Sequence, residues 1–144
     1  MPVQDLSQYL AFLLASANRQ MRTGLINSFE DEECTEEHWR ILHVLSDEQG
    51  RSMGDLAESV LMNGSALSKN IDKLVSRGLV QRAADAQDSR RVLVYISNRG
   101  LKTVSRLALQ VDAHHDSIEV AFGPRRTNQL KKLLESFIRQ SPPS

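Results

Sequence analysis

Aromatic residues make up only 5% of this 144-residue chain, and cysteine is reduced to Cys34 alone. One cysteine excludes an intrachain disulfide framework and fits a reducing compartment. No apolar run approaches the roughly 18 residues that a membrane-spanning helix needs. The opening MPVQDLSQYL has neither the basic nor the apolar stretch of a secretory signal. A cytoplasmic protein with no membrane partner is therefore expected. Net charge is missing too, because 18 basic residues offset 18 acidic ones. Also absent are a glycine-rich phosphate loop, clustered metal-ligand spacings and a nucleophile–base set, so neither an enzyme nor a bound cofactor or metal is expected. No internal repeat or low-complexity tract interrupts the chain.

What is present has the composition of an ordinary globular domain, 40% hydrophobic and 25% charged, and 1–144 reads as one domain. Its charge is segregated along the chain. Residues 1–50 hold 3 Lys/Arg against 9 Asp/Glu, a balance of −6. Residues 51–100 hold 8 against 5, or +3, and residues 101–144 hold 7 against 4, again +3. The basic middle is where a polyanion would be met.

Hydrophobic spacing predicts mainly helix. Leu6, Leu10, Leu13, Ala17 and Met21 recur every three or four residues over 5–29, the period of a long amphipathic helix. The acidic run EDEEC then reads as a loop. Thr35 is placed to cap a second helix carrying Trp39, Leu42 and Leu45, with Glu36 and Glu37 in the first turn where the helix dipole favours anions. Ser52, with Asp55 three residues on, predicts a third, short helix burying Leu56, Val60 and, as a weaker candidate, Leu61. Asn63 can cap a fourth helix that stops at Gly78, a natural residue to follow a helix end. Two short helices about three residues apart make a helix-turn-helix.

Beyond Gly78 the period changes to two. LVQRA and VLVYIS flank the polar stretch DAQDSRR and predict a β-hairpin with Arg90 and Arg91 at its tip. A helix over about 98–121 follows, marked by Leu101, Val104, Leu107, Leu109 and Val111. Gly123–Pro124 breaks it, and Pro124 is well placed to begin a final helix with Leu130, Leu133, Leu134, Phe137 and Ile138 on one face.

On a helical wheel of about 100° per residue, Ile71, Leu74 and Gly78 fall on the side of Leu67, which is the side to bury. The opposite side shows Ser65, Lys69, Asp72 and Ser76, flanked by Ser68 and Lys73. Small hydroxyls and lysines suit a DNA major groove, whose phosphates and base edges they can contact. A solvated amphipathic helix would show the same wheel. The order of the elements weighs against that plainer reading. A helix-turn-helix followed at once by an arginine-tipped ribbon is the order of a winged helix, whose wing reaches the adjacent minor groove. Asp88 can pair with a basic neighbour and shape the loop, while Arg91 is placed for phosphate.

These residues resemble the multiple antibiotic resistance regulator (MarR) family of bacterial winged-helix repressors. The likeness is carried by DLAESVLMNGSALSKNIDKLVSRGLVQR, by DSRRVLVYIS and Gly100, and by TEEHWRILHVL with Trp39. Asp88-Ser89-Arg90 matches the D-x-R of that family's wing, and Ser97 and Gly100 stand where the family has L-T-x-x-G. The resemblance spans nearly the whole chain. It implies a mainly α, dimeric winged helix-turn-helix of about six helices with a two- or three-stranded β-ribbon. Residues 35–100 would form the DNA-binding lobe, and 5–33 and 101–140 the dimerisation helices. It further implies a ligand-released, DNA-binding transcriptional repressor reading a pseudopalindrome in double-stranded DNA. DNA-facing positions carry over to Ser65, Ser68, Lys69, Lys73 and Arg77. Leu61 departs from the pattern, standing where relatives often have glycine, and Gly64 and Ala66 replace commonly polar positions.

The family also uses a cleft between its helices for small aromatic or phenolic acids. Arg19, Arg22, His38 and Arg40 are the cationic or titratable residues placed to meet such an anion, with Arg40 the preferred one. Two alternatives remain at this point. Cys34 is a redox-sensing candidate, although it lies in an acidic loop rather than early in the first helix. A winged-helix module that binds protein rather than DNA is the other. His114, His115, Asp116 and Glu119 have a metal-compatible spacing, but ordinary helix surface accounts for them.

Overall fold

The computed structural model describes residues 3–29 and 32–140. A 3-10 turn at Leu6–Gln8 precedes α1 (Leu10–Ser28), and α2 (Glu36–Leu45), α3 (Met53–Val60) and α4 (Gly64–Ser76) follow. The hairpin is β1 (Val80–Ala84) and β2 (Val92–Ile96), and the chain ends in α5 (Asn98–Phe122) and α6 (Pro124–Gln140). The first predicted helix is therefore broken: Tyr9 is extended between the 3-10 turn and α1.

Side-chain caps start four of the helices. Thr35 Oγ1 accepts from the His38 amide at 3.1 Å, and the Thr35 amide donates to His38 Nδ1 at 3.3 Å, a capping box closed by histidine. Ser52 accepts from Asp55 N, Asn63 from Ala66 N and Ser97 from Gly100 N. Each such cap contributes about 1 kcal/mol.

Helix ends are less uniform. Gly78 follows α4 at φ +72°, a conformation that glycine adopts freely. At the end of α3 the same role falls to Leu61, at φ 59° and ψ 47°. Its side chain is 82% exposed, so Leu61 is not among the buried positions of α3. The amide of Met62 reaches back to the carbonyl of Ala57 at 3.0 Å and holds the turn closed.

β1 and β2 pair antiparallel from Val80↔Ile96 to Ala84↔Val92. Arg51 adds one bridge to Val94, with both backbone hydrogen bonds made, and this is the only trace of a third strand among the described residues. Its guanidinium binds both carboxylate oxygens of Asp47, at 3.0 and 2.7 Å, and holds that carboxyl down to about 2. Gly100 anchors α5 to the hairpin. A Cβ there would lie 2.2 Å from the carbonyl oxygen of Leu79, a backbone contact that cannot yield.

The core joins α1, the hairpin and α2–α5. Phe29, Ile41, Leu42, Leu45, Leu56, Leu67, Ile71, Leu74, Val94 and Leu107 are all fully buried. Trp39 packs against this core from its edge, stacked on His43. Outside it, Leu10, Leu13 and Met21 of α1 and Leu130, Leu133, Phe137 and Ile138 of α6 are exposed, and Leu109, predicted in the apolar stripe of α5, is 72% exposed.

Candidate nucleic-acid interface and cavity

Leu67, Ile71 and Leu74 bury one side of α4, which leaves Ser65, Lys69, Asp72, Lys73 and Ser76 exposed and Ser68 half-buried at the edge. Ser65 Oγ donates to the capping oxygen of Asn63 at 3.1 Å, so it stays at the helix start. Lys69 and Lys73 enter no ion pair among the described residues. Asp72 does: Arg82 of β1 donates to it at 2.6 Å and ties the exposed face of α4 to the hairpin. Sequence reasoning placed Asp72 on this face but missed its partner, because the spacing across a helix end and a strand has no local pattern.

The hairpin tip is built on Asp85 and Asp88. The Asp85 amide donates to the carbonyl of Arg91, and the Arg91 amide to that of Asp88, both at 2.9 Å. Asp88 Oδ1 accepts from the Arg90 amide at 3.1 Å and from its Nε at 3.3 Å. One carboxylate thus fixes the turn and leaves the Arg90 side chain 90% exposed. Arg91 is exposed beside it.

Arg77 has a different place from the one its position suggested. Its guanidinium donates to the carbonyls of Glu33 at 2.8 Å and Glu32 at 3.0 Å, and lies 3.5 Å from Cys34 Sγ. Arg106 of α5 clamps the carboxylate of Glu32 through Nε and Nη2. Arg77 therefore ties the end of α4 to the loop before α2 rather than standing free for phosphate. Cys34 is buried against it.

Between α1, α2 and α5 lies a cavity of about 210 Å³ lined by apolar Met21, Leu25, Val111 and Ile118 with Arg22 and Glu36. The four sequence-predicted ligand residues do not converge on it. Arg22 does line it, with Nη2 paired to Glu37. Arg19 lines an adjoining shallow depression with Asn18 and Thr23. His38 is buried in the capping box, its other ring nitrogen without a partner. Burial first, then the charges of Arg77 and Lys73, push the His38 pKa below its ordinary 6.5. Arg40 points elsewhere, donating to Glu36 at 2.7 Å and to the Val60 carbonyl at 3.2 Å. Their separation has a simple cause: residues 38 and 40 sit about 200° apart on α2, so they cannot share one wall. Glu36 is the cavity residue that sequence reasoning overlooked, and its pairing with Arg40 at i, i+4 was the available signal.

On α5, the ligand-type atoms of His115, Asp116 and Glu119 come within 4.8 Å of one another, and His115 also lines the cavity. His115 and Glu119 already pair at 3.7 Å, and His114 bonds the carbonyl of Met21 instead. No helix among the described residues is long and apolar enough to cross a membrane.

A helix-turn-helix whose second helix runs into an antiparallel, arginine-tipped hairpin defines a winged-helix protein. The family model described as "MarR family" matches residues 35–91, which cover α2 to the wing tip. The transcriptional regulator FarR of Neisseria gonorrhoeae is 27% identical over 139 residues, 96% of this chain and 95% of the relative. Among solved structures, NadR in complex with 4-hydroxyphenylacetate is 26% identical at a TM-score of 0.78, covering 98% of this chain and all of that one. The repressor CouR bound to a 23-mer DNA duplex superposes with a TM-score of 0.85 at 20% identity, over 96% of this chain and 98% of that one. Residues 35–91 thus match the model of the MarR family, and nearly the whole chain is similar to a transcriptional regulator.

Proposed function

We propose that the chain is a homodimeric, sequence-specific DNA-binding regulator, a repressor released from its operator by a small aromatic or phenolic acid. The observation that carries this is that the exposed face of α4 leads into a hairpin tipped by exposed Arg90 and Arg91, with Arg82 of β1 paired to Asp72 of α4 between them. In this reading Ser65, Ser68, Lys69 and Lys73 meet the major groove and its phosphates. Arg90 enters the minor groove, where negative potential favours a guanidinium, and Arg91 takes phosphate. Asp88 shapes the tip that presents them. The exposed apolar faces of α1 and α6 belong to the dimer contact, which sets two α4 helices about one DNA turn apart, near 34 Å. CouR bound to duplex DNA and NadR bound to 4-hydroxyphenylacetate support the two halves of this reading. The ligand is assigned to the cavity between α1, α2 and α5.

Fluorescence anisotropy on the DNA upstream of the protein's own gene tests the proposal. Arg90→Ala is expected to weaken binding by about 1–3 kcal/mol, and Lys73→Ala to lower the salt slope by about 1. Binding that ignores both salt and Arg90→Ala would overturn the DNA reading.

A further inference from the structure

The end of α4 is held to α5 at two places. The first is direct. Ser97, the cap of α5, donates from Oγ to the carbonyl of Gly78 at 2.6 Å and from its amide to the carbonyl of Leu79 at 3.0 Å. The second runs through the stretch Glu32–Cys34. Arg77, at the end of α4, donates from Nη1 to the carbonyl of Glu33 at 2.8 Å and from Nη2 to the carbonyl of Glu32 at 3.0 Å. The carboxylate of Glu32 turns to α5, where Arg106 holds it through Nε at 2.9 Å and Nη2 at 3.2 Å.

Two features mark this second attachment as more than packing. Glu33 stands at φ 54°, in a left-handed region that a non-glycine residue keeps only where its surroundings impose it. Arg77 holds its carbonyl there. The Arg106–Glu32 pair is bidentate, a geometry that fixes direction as well as distance. Arg106 is exposed, however, so the pair adds little stability. Val104 and Leu107 are buried beside it, but apolar contacts hold α5 down without giving it a direction.

Two directional anchors fix an angle where one leaves a pivot. Ser97 and Arg106 lie nine positions apart along α5 and its cap, about 13 Å. The 13 residues of α4 span about 20 Å. A swing of about 10° over that length, with the helices packed on α4 moving too, carries its start about 3.5 Å, roughly one base-pair step. α5 in turn packs on α1 and α6, whose exposed faces meet the second copy in the reading above.

We propose that Glu32, Arg77 and Arg106 form a clasp that sets the angle of α4 on α5 and so determines which half-site spacing the dimer accepts. The clasp's role rests on the DNA-binding reading above. Arg77 and Arg106 are positioning residues, and neither contacts phosphate.

Binding of the full chain to its footprinted upstream operator, and to the same operator with one base pair inserted between the half-sites, tests the clasp. The wild type is expected to bind the longer site about a hundred-fold more weakly, and Arg106→Gln only about ten-fold more weakly. Arg77→Met is expected to show the same reduced penalty with the salt slope of the wild type, whereas loss of a phosphate contact lowers that slope by about 1. Glu32→Arg combined with Arg106→Glu rebuilds the pair and is expected to restore the full penalty, which a general loosening of the fold does not allow. A wild type indifferent to the insertion, an unchanged penalty in Arg106→Gln, a double variant that restores nothing, or a lowered slope in Arg77→Met overturns the proposal. A second readout needs no DNA. Cys34 is the chain's single cysteine and is buried beside the clasp, its Sγ 3.5 Å from Arg77. A thiol reagent is expected to label it about ten-fold faster in Arg106→Gln at an unchanged urea midpoint, and at the wild-type rate in the double variant. Equal rates in Arg106→Gln and the wild type overturn the clasp. A wild type that binds no duplex defeats the DNA reading, and the labelling still decides whether the clasp holds the joint.

Discussion

Ile71 in α4 and Ile138 in α6 occupy the same kind of position, an apolar residue on the apolar face of an amphipathic helix. Ile71 is fully buried, and Ile138 is 72% exposed. The contrast extends to the regions around them. Between Thr35 and Gly100 the apolar faces of three helices and the hairpin close on one another. In α6 and the first half of α1 the same periodicity leaves Leu133, Phe137, Leu10 and Leu13 open. Amphipathic spacing states that a face needs cover; which element covers it depends on topology, and for the end helices this chain supplies too little.

The largest test of that contrast is a pair of truncations. Ile71→Ala is expected to destabilise the fold by about 2–5 kcal/mol, as core truncations do. Ile138→Ala should change the stability of the isolated chain by no more than about 0.5 kcal/mol. It should instead weaken self-association, read by sedimentation velocity across a concentration series. Equal losses of urea midpoint in the two variants would erase the distinction between the regions. A wild type that stays monomeric at micromolar concentration would remove the dimer from the proposal.

A smaller effect probes the interior of the well-packed region. His38 packs between the α2 cap and α4, close to Arg77 and Lys73, which disfavour its charged form, and to Glu37 and Asn70, which favour it more weakly. Its pKa in the fold lies below 6.5, so the unfolded chain takes up its proton first. Stability from the neutral ring is therefore complete above about pH 6.5 and is lost as pH falls through that value toward the folded pKa. Asp47, titrating near 2, adds nothing in that window. The urea midpoint is expected to fall between pH 7 and pH 5. His38→Gln, which preserves a capping-box side chain, should flatten the slope. A wild-type midpoint that is level over this range would contradict the assignment.

Much of this organisation is legible along the chain. Thr35, Ser52, Asn63 and Ser97 precede their helices by rules that act within four residues, and the change of period after Gly78 marks the hairpin. Asp88 beside Arg90 is local as well. What cannot be read locally is which distant groups meet. Arg77 stands on a helix end like any basic residue near a C-terminus, yet its donors go to a loop more than forty residues earlier. Arg40 is cationic beside an aromatic residue, but the direction of its bond to Val60 depends on how α2 crosses α3. Glu36 looks like a first-turn acid serving the helix dipole, and only the packing of α1 and α5 shows that it is buried. Local rules place elements and caps; the cavity is made by three helices whose mutual angles no short stretch encodes.

The finest test concerns a turn in which the well-packed lobe retains strain. Leu61 ends α3 in a left-handed conformation that costs an L-residue about 1–2 kcal/mol, and nothing among the described residues covers its side chain. Leu61→Gly relieves that cost but gives the unfolded chain more freedom, worth about 0.4–1 kcal/mol in the other direction. A net stabilisation below about 1 kcal/mol is expected, seen as a thermal midpoint higher by at most a few degrees. The sign matters more than the size. If glycine destabilises the free chain, the Leu61 side chain has a partner, and a second copy of the chain is the first to test, by repeating the melt at several concentrations. If glycine stabilises it, the lobe carries its strain in the turn that aims α4, the element that must move if occupation of the cavity is to reach DNA.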